Sequence, residues 1–197
     1  MPEHYGPEGD PARHLDLDAL ARAFEALPAP PADQGRVRLL VARRADGVRE
    51  TPSRVELTPE EGMPGDRWAR RTRGRPEMQL AVIQHDVAEL IANGQPPTIL
   101  GDNLFVELDL SSENLPAGSR LRVGAATCEV TPEPHDGCRK FRGRVGAAAL
   151  RWVSDRTRRH RNLRGVYWRV IEPGAVAVGD PIRVLSRTPA GTAPPGG

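Results

Sequence analysis

Short runs in which apolar residues alternate with polar or small ones recur along most of the chain, and they predict β-strands. Residues 121–123 and 126–130 are two such runs, with Gly124 between them as a turn. Comparable runs are found at 37–41, 48–57, 78–83, 99–108, 166–171, 175–178 and 182–185. Seven or more short strands with few helices indicate a mainly β fold, either a β-barrel or a folded-over sheet, with α+β character at its margins.

Helical spacing occurs in only a few places. Leu17, Leu20, Phe24 and Leu27 recur every three or four residues and predict an amphipathic helix that ends before a proline-rich linker. Two further helices are expected at about 85–92 and 145–153. We therefore divide the chain into three parts: a polar tail, helix and linker at 1–35, a β-barrel domain at 36–186, and a disordered tail at 187–197.

Residues 58–76 are rich in glycine, proline and arginine and predict a long loop. Gly65-Asp66-Arg67-Trp68 lies within it. The segment could be a solvated loop with one stray tryptophan, or a loop that contacts an anion, because long loops are often functional. Composition alone leaves both interpretations open.

Charge is nearly balanced overall, with a formal net charge of +2, but it is unevenly distributed. Of the 28 basic residues 27 are arginine, and Lys140 is the single lysine. Two clusters of arginine predict local positive patches: Arg67, Arg70, Arg71, Arg73 and Arg75, and then Arg151, Arg156, Arg158, Arg159, Arg161 and Arg164.

The chain shows no apolar run of the roughly 18 residues that a membrane helix needs, and no secretory leader pattern. A cytoplasmic location with free thiols is therefore expected. Two cysteines are too few for an iron–sulfur cluster held by cysteines of one chain. A disulfide between Cys128 and Cys138 is conceivable but less favoured.

Residues 135–141 carry the most promising chemistry. Prolines at 132 and 134 end a predicted strand, which places Cys138 at an exposed strand-to-helix junction. Arg139 and Lys140 beside a helix start would lower the pKa of this thiol and favour its thiolate. The alternative is a buried structural cysteine.

Other kinds of chemistry are less well supported. His135 and Cys138, helped by Cys128 and His85, do not make the two close ligand pairs of a structural zinc site. A cysteine–histidine hydrolase would lack a recognised nucleophile motif. The small number of aromatic residues argues against nucleic-acid binding. The sequence contains neither a P-loop nor a GxGxxG motif, so nucleotide binding is not supported. What remains is a compact anion, held by arginines, Lys140 and loop amides near a thiolate.

Several blocks of the sequence together resemble the MOSC domain, the C-terminal domain of molybdenum cofactor sulfurases. The resemblance covers about residues 36–186, with Cys138 in the expected loop. In order, the blocks are Gly65-Asp66-Arg67, Gly101-Asp102-Asn103-Leu104, the stretch 115–124, Gly137-Cys138-Arg139-Lys140-Phe141, Arg164-Gly165-Val166-Tyr167 and the stretch 173–180.

The resemblance implies a barrel-like fold that binds the molybdenum cofactor, a pterin carrying a phosphate. Cys138 would be a molybdenum ligand or a sulfur carrier. Pterin and phosphate contacts are assigned to Arg67, Asn103, Arg139, Lys140 and Arg164.

Two functions follow from this resemblance. One is the reduction of small N-hydroxylated compounds by means of a separate electron donor, with substrate choice set by loop walls that include Trp68 and Trp152. The other is a non-catalytic carrier of sulfur or cofactor, served by a sulfur donor protein. The chain departs from many relatives in having Gly137 where they have proline, and in lacking the cysteine desulfurase and ferredoxin domains found in some of them.

Overall fold

The computed structural model describes residues 7–45 and 47–187. Its strands are β1 (Gln34–Leu40), β2 (Ala42–Arg43), β3 (Arg49–Glu50), β4 (Arg54–Leu57), β5 (Leu80–Gln84), β6 (Leu104–Glu107), β7 (Arg120–Val123), β8 (Ala126–Val130), β9 (Val166–Glu172), β10 (Gly174–Ala177) and β11 (Pro181–Ser186). Its α-helices are α1 (Leu17–Glu25), α2 (Trp68–Thr72), α3 (His85–Ala92) and α4 (Arg139–Val153). Short 3-10 helices span Pro11–Arg13, Pro76–Met78, Pro97–Ile99 and Arg156–Arg161.

Seven strands close into a barrel in the order β1-β11-β7-β8-β9-β5-β6, which confirms the predicted mainly β, barrel-like fold. All pairs are antiparallel except β5 and β6, where Val82 lies opposite Leu104. Parallel neighbours need a crossover connection, and α3 with the following 3-10 helix supplies it. Two small ribbons, β4 with β10 and β2 with β3, stand beside the barrel.

Alternation along the strands fills the barrel interior. In β7 the side chains of Leu121 and Val123 are buried, whereas Arg120 and Arg122 are exposed. Successive side chains of a β-strand point to opposite faces of the sheet, so the apolar face of each strand forms the core. Cys128 on β8 belongs to this core and is fully buried.

A second apolar cluster lies outside the barrel, between the wall and the helices α1, α3 and α4. Leu20 of α1 is completely buried in it, and the ring of Phe24 meets the ring of Trp152 edge-on at 5.4 Å. The predicted amphipathic helix therefore packs on the helical layer.

Three local expectations need correction. The predicted loop 58–76 contains the helix α2, which is anchored because Trp68 is buried and donates its indole N–H to the carbonyl of Arg75 at 2.9 Å. The predicted strand at 48–57 is divided into β3 and β4, which pair with different partners. Helix α4 begins at Arg139, six residues before the predicted start, and the glycine content of its first turns had concealed it.

The predicted disordered tail lies outside the described residues except for Arg187. Residues 1–6 of the predicted polar tail and Asp46 also lie outside them.

Candidate functional site

Cys138 is the residue immediately before α4 and is exposed. Its backbone is extended, with φ of −120° and ψ of 174°, and its carbonyl accepts a hydrogen bond from the N–H of Arg142 at 3.0 Å. The N-terminal N–H groups of a helix have no partners within the helix and carry partial positive charge. The thiol therefore lies where a negative charge is favoured.

The two cysteines have opposite acidities. Partial burial alone would raise the pKa of the Cys138 thiol. The N–H groups of Phe141 and Lys140, together with the charges of Arg164 and Arg71, outweigh it and lower that pKa. Burial raises the pKa of Cys128 to about 12. Both thiols are free, so no disulfide joins them.

A cavity of about 290 Å³ opens beside Cys138. Its walls come from α2, the loop before β6, the loop 134–138, the first turns of α4 and the start of β9. The basic side chains in this lining are Arg43, Arg67, Arg71, Lys140, Arg144 and Arg164. Asp136 is the one acidic residue among the described residues that line it. The cavity thus suits an anionic ligand.

One buried ion pair supports the first wall of the cavity. Arg43 binds Asp66 through two parallel hydrogen bonds of 2.8 Å, and its Nη1 donates to the carbonyl of Gly101 at 3.0 Å. Burial alone would raise the pKa of Asp66, but its bonds to Arg43 and Asn103 hold that pKa below the ordinary range. The Nδ2 of Asn103 donates to Asp66 at 2.9 Å and to the carbonyl of Val41 at 3.1 Å. This network fixes the loop at 65–67 against the barrel.

A second buried ion pair supports the opposite wall. The Nη1 of Arg164 donates to both carboxylate oxygens of Asp102, at 2.9 and 3.0 Å, and its guanidinium stacks on the ring of Phe141 at 4.8 Å. His135 lies against Asp102 and Tyr167, with its Nδ1 3.7 Å from an Asp102 oxygen and without a hydrogen bond. Burial, then the charges of Arg164 and Arg43, hold the pKa of His135 well below its usual value, so the ring is neutral.

Guanidinium groups from distant parts of the sequence converge near Gly101. A Cβ atom added to Gly101, whose φ is +86°, would lie 3.1 Å from Nη1 of Arg144 and 3.5 Å from Nη2 of Arg49. Burial lowers the pKa of Arg49 to about 10, with further lowering by Arg67, Arg144 and Arg43. The pKa of Arg67 is also lowered, by burial and then by Arg43 and Arg71.

Guanidinium groups held this close favour the binding of an anion. The anion would reduce the repulsion between them and offset the cost of burying their charges. Buried nitrogens without a hydrogen-bond partner remain on three of the arginines: Nε and Nη2 of Arg49, Nε of Arg67 and Nε of Arg164. These donors would be available to such a ligand.

The structure brings Cys138, Arg67, Lys140 and Arg164 of the predicted site together around one cavity. Asn103 is fully buried behind the wall and holds Asp66 in place. Arg139 is exposed on the first turn of α4, and neither residue is among the described residues that line the cavity. Trp68 lines the cavity, whereas Trp152 is buried against Phe24.

Sequence reasoning did not find Arg43, Arg49 and Arg144 as site residues. Nothing in their local sequence separates them from the other arginines of an arginine-rich chain. The sequence predicts Arg71 only as part of a cluster of arginines. His135, which the sequence supports only weakly as a zinc ligand, is part of the cavity wall.

Two further findings bear on the kind of site. Within residues 7–45 and 47–187, no three histidine, cysteine, aspartate or glutamate side chains are grouped so that they could hold a metal ion. Over the same ranges, no helix combines the length and the apolar character needed to span a bilayer.

A closed barrel with a cysteine at the N-cap of α4, beside a basic cavity, defines the class of protein. A family model described as the MOSC domain matches residues 66–183. Because this match covers more than half of the chain, the protein belongs to the MOSC domain family, which is associated with molybdenum-cofactor binding. A search of curated protein sequences finds no significant match.

Solved structures share the fold. The YuaD protein from Bacillus subtilis is 23% identical, with a TM-score of 0.58, and the alignment covers 77% of this chain and 95% of that one. A hypothetical protein is 20% identical with a TM-score of 0.56, over 84% of this chain and 72% of its own. YiiM from Geobacillus stearothermophilus is 15% identical with a TM-score of 0.53, over 78% and 76%. At these identities the likeness shows the fold alone.

Proposed function

We propose that the protein binds the molybdenum cofactor in the cavity beside Cys138 and, with electrons from a separate donor, reduces small N-hydroxylated compounds. The observation that carries this proposal is an exposed thiol of lowered pKa that opens on a cavity lined by arginines. A thiolate is a soft ligand that suits a high-valent, sulfur-rich metal centre. Family membership supports the identity of the cofactor.

The donor set fits a cofactor that carries a phosphate. Arg67 and Arg144, which line the cavity, and Arg49, which lies near Arg144 beside Gly101, would hold the phosphate, because their guanidinium groups lie close together. Buried nitrogens of Arg49 and Arg67 also have no hydrogen-bond partner. A planar guanidinium binds a phosphate through two parallel hydrogen bonds. Phe141, Tyr167 and Trp68 supply the less polar parts of the lining.

When bound, the cofactor would supply a two-electron redox centre. The contribution of this chain is to bind and to orient. The Arg43–Asp66 and Arg164–Asp102 pairs keep two walls rigid, because breaking a buried pair leaves an uncompensated charge. Neutral His135 beside Tyr167 adds a polar but uncharged surface to the cavity next to Cys138.

The second candidate function is a carrier of sulfur or cofactor, and the exposure of Cys138 favours it. A carrier needs an accessible thiolate that can hold and release a sulfur atom. The two candidates share Cys138 but differ in whether a small substrate turns over.

The protein can be produced in a host that makes the cofactor and then analysed for molybdenum. This experiment tests whether the protein binds the cofactor through Cys138, which is the part that the two candidate functions share. We expect bound molybdenum in the wild-type protein and in the control Cys128→Ala, and its loss in Cys138→Ala. Reduction of a hydroxylamine with a chemical electron donor would then favour the reductase. A transferable persulfide on Cys138 without turnover would favour the carrier, and full retention of active molybdenum in Cys138→Ala would refute the proposal.

A further inference from the structure

The segment from Arg139 to Arg164 is strongly basic. It holds ten basic residues and a single acidic one, Asp155. Some of these charges belong to the cavity, but others point to solvent around its mouth. Arg139 and Arg142 are exposed on the first turn of α4, beside Cys138, and Arg71 of α2 is exposed on the cavity edge. We call Arg71, Arg139 and Arg142 the arginine rim.

The acidic groups near the mouth are already engaged by other arginines. Glu133 pairs with Arg75 at 2.9 Å, and Asp136 lies 3.8 Å from Arg159. Asp155, which follows the C-terminal end of α4, pairs with Arg158 at 2.9 Å. The structure gives the arginine rim no ion-pair partner within the described part of the chain. Its charges are therefore directed to solvent around the exposed thiol.

The surroundings of the rim favour a protein over nucleic acid or a lipid surface. Single-stranded nucleic acid is bound by exposed aromatic rings on which bases stack, but all three tryptophans are buried. A lipid surface would require exposed apolar residues, and the exposed large hydrophobic residues lie outside α2 and α4: Leu17, Val48, Val178 and Leu185.

We propose that the arginine rim docks an acidic redox protein over the mouth of the cavity, close to Cys138. Exposed charges of one sign around a cleft steer an oppositely charged partner and fix its orientation. That the partner delivers electrons rests on the proposed function. The docking itself depends only on the charges of this face and requires no bound cofactor.

The test measures binding and uses the cofactor-free protein, so its outcome is independent of molybdenum. An acidic [2Fe–2S] ferredoxin is the probe, and basic cytochrome c is the negative control. We expect binding of the ferredoxin at about 0.02 M salt that weakens at least tenfold by about 0.5 M, where the screening length falls to roughly 4 Å. Cytochrome c should not bind measurably.

Charge reversal locates the surface. Arg139→Glu/Arg142→Glu should weaken ferredoxin binding at least about tenfold, because each substitution replaces an attraction by a repulsion. The matched control is Arg54→Glu/Arg183→Glu, two exposed arginines on β4 and β11 that also have no ion-pair partner among the described residues. We expect a change below about twofold for this pair. Acidic residues in the first turn of a helix are favourable, so the reversed α4 should still fold.

Three outcomes would overturn the proposal. The first is absence of ferredoxin binding at low salt. The second is equal weakening by the control pair. The third is tight, rim-dependent binding of a short single-stranded RNA or of phosphatidylglycerol vesicles, with no ferredoxin binding. None of these depends on molybdenum content or turnover, so failure here is distinct from failure of the proposed function.

Discussion

At the scale of single residues, the reactivity of the site depends on where one thiol lies. Cys138 and Cys128 are ten positions apart, yet the pKa of one is lowered and that of the other is raised to about 12. The difference arises because Cys138 meets helix N–H groups and arginine charges, whereas Cys128 is enclosed by apolar side chains of the barrel. Of the two thiols, Cys138 is therefore the one that more readily forms a thiolate.

Removal of one nearby charge should make Cys138 less acidic. Because the charge of Arg71 lowers the thiol pKa, Arg71→Gln should raise it, so the thiolate fraction at a given pH falls and the alkylation profile moves to higher pH. The rate of reaction with iodoacetamide as a function of pH measures this shift.

The matched control is Arg70→Gln, because Arg70 is also exposed on α2 but is not among the groups that contribute most to the pKa shift of this thiol. A wild-type profile centred at or above about 8.5, the ordinary value of a free cysteine, would contradict the assignment.

At the scale of elements, a break in α4 separates the turns that line the cavity from the turns that pack on α1. Gly146 has φ of 92° and ψ of 164°, which interrupts the helix between the turns that carry the site and the turns that pack on α1. His14 contacts this break, and its Nε2 lies 3.2 Å from the carbonyl of Arg144. The N-terminal segment thereby supports the residue whose guanidinium lines the cavity.

Substitution at this break should be costly. Gly146→Ala should lower the free energy of unfolding by about 1–3 kcal/mol, because this backbone conformation is almost confined to glycine. An added Cβ would also lie 3.0 Å from the ring of His14. Urea unfolding followed by tryptophan fluorescence measures the change.

The control for this prediction lies in the same helix. Gly143 is exposed, and a Cβ there would have no neighbour within 4 Å. Gly143→Ala should therefore stabilise the protein by about 0.4–1 kcal/mol. Equal effects of the two substitutions would show that the break at Gly146 is not required.

At the scale of the whole molecule, the N-terminal helix is part of the structure that supports the site. Its Leu20 is buried with residues of α3 and α4, although the family match begins only at residue 66. α3 also forms the crossover between the parallel strands β5 and β6. The helical layer thus connects α1 to the barrel wall and to the helix that follows Cys138.

Substitution of two leucines of α1 tests how strongly this helix is packed on the helical layer. Leu20→Ala should lower the free energy of unfolding by about 2–5 kcal/mol, since it leaves a cavity in a closed core. Leu17 is 39% exposed, and Leu17→Ala should change stability by no more than about 0.5 kcal/mol. Denaturant unfolding of both variants measures the difference. Similar small effects would mean that α1 is only loosely attached.

The sequence by itself determined the elements whose patterns are local. Alternation in β7 and β8, with a glycine between them, predicted two strands that the structure confirms. The bounds predicted for α3 are those observed, and Asn93 ends the helix with φ of 47°. The exposed position of Cys138 before a helix was also predictable, because prolines and basic neighbours mark it.

Only the tertiary structure decided which arginines share the site. Arg43, Arg49 and Arg144 come from three separate segments and meet near Gly101, where their mutual repulsion favours an anion. Local patterns report the backbone preference of each segment, whereas the pKa of a guanidinium depends on burial and on charges that are distant along the chain. For the same reason, the closure of the barrel and the pairing of β4 with β10 required the folded structure.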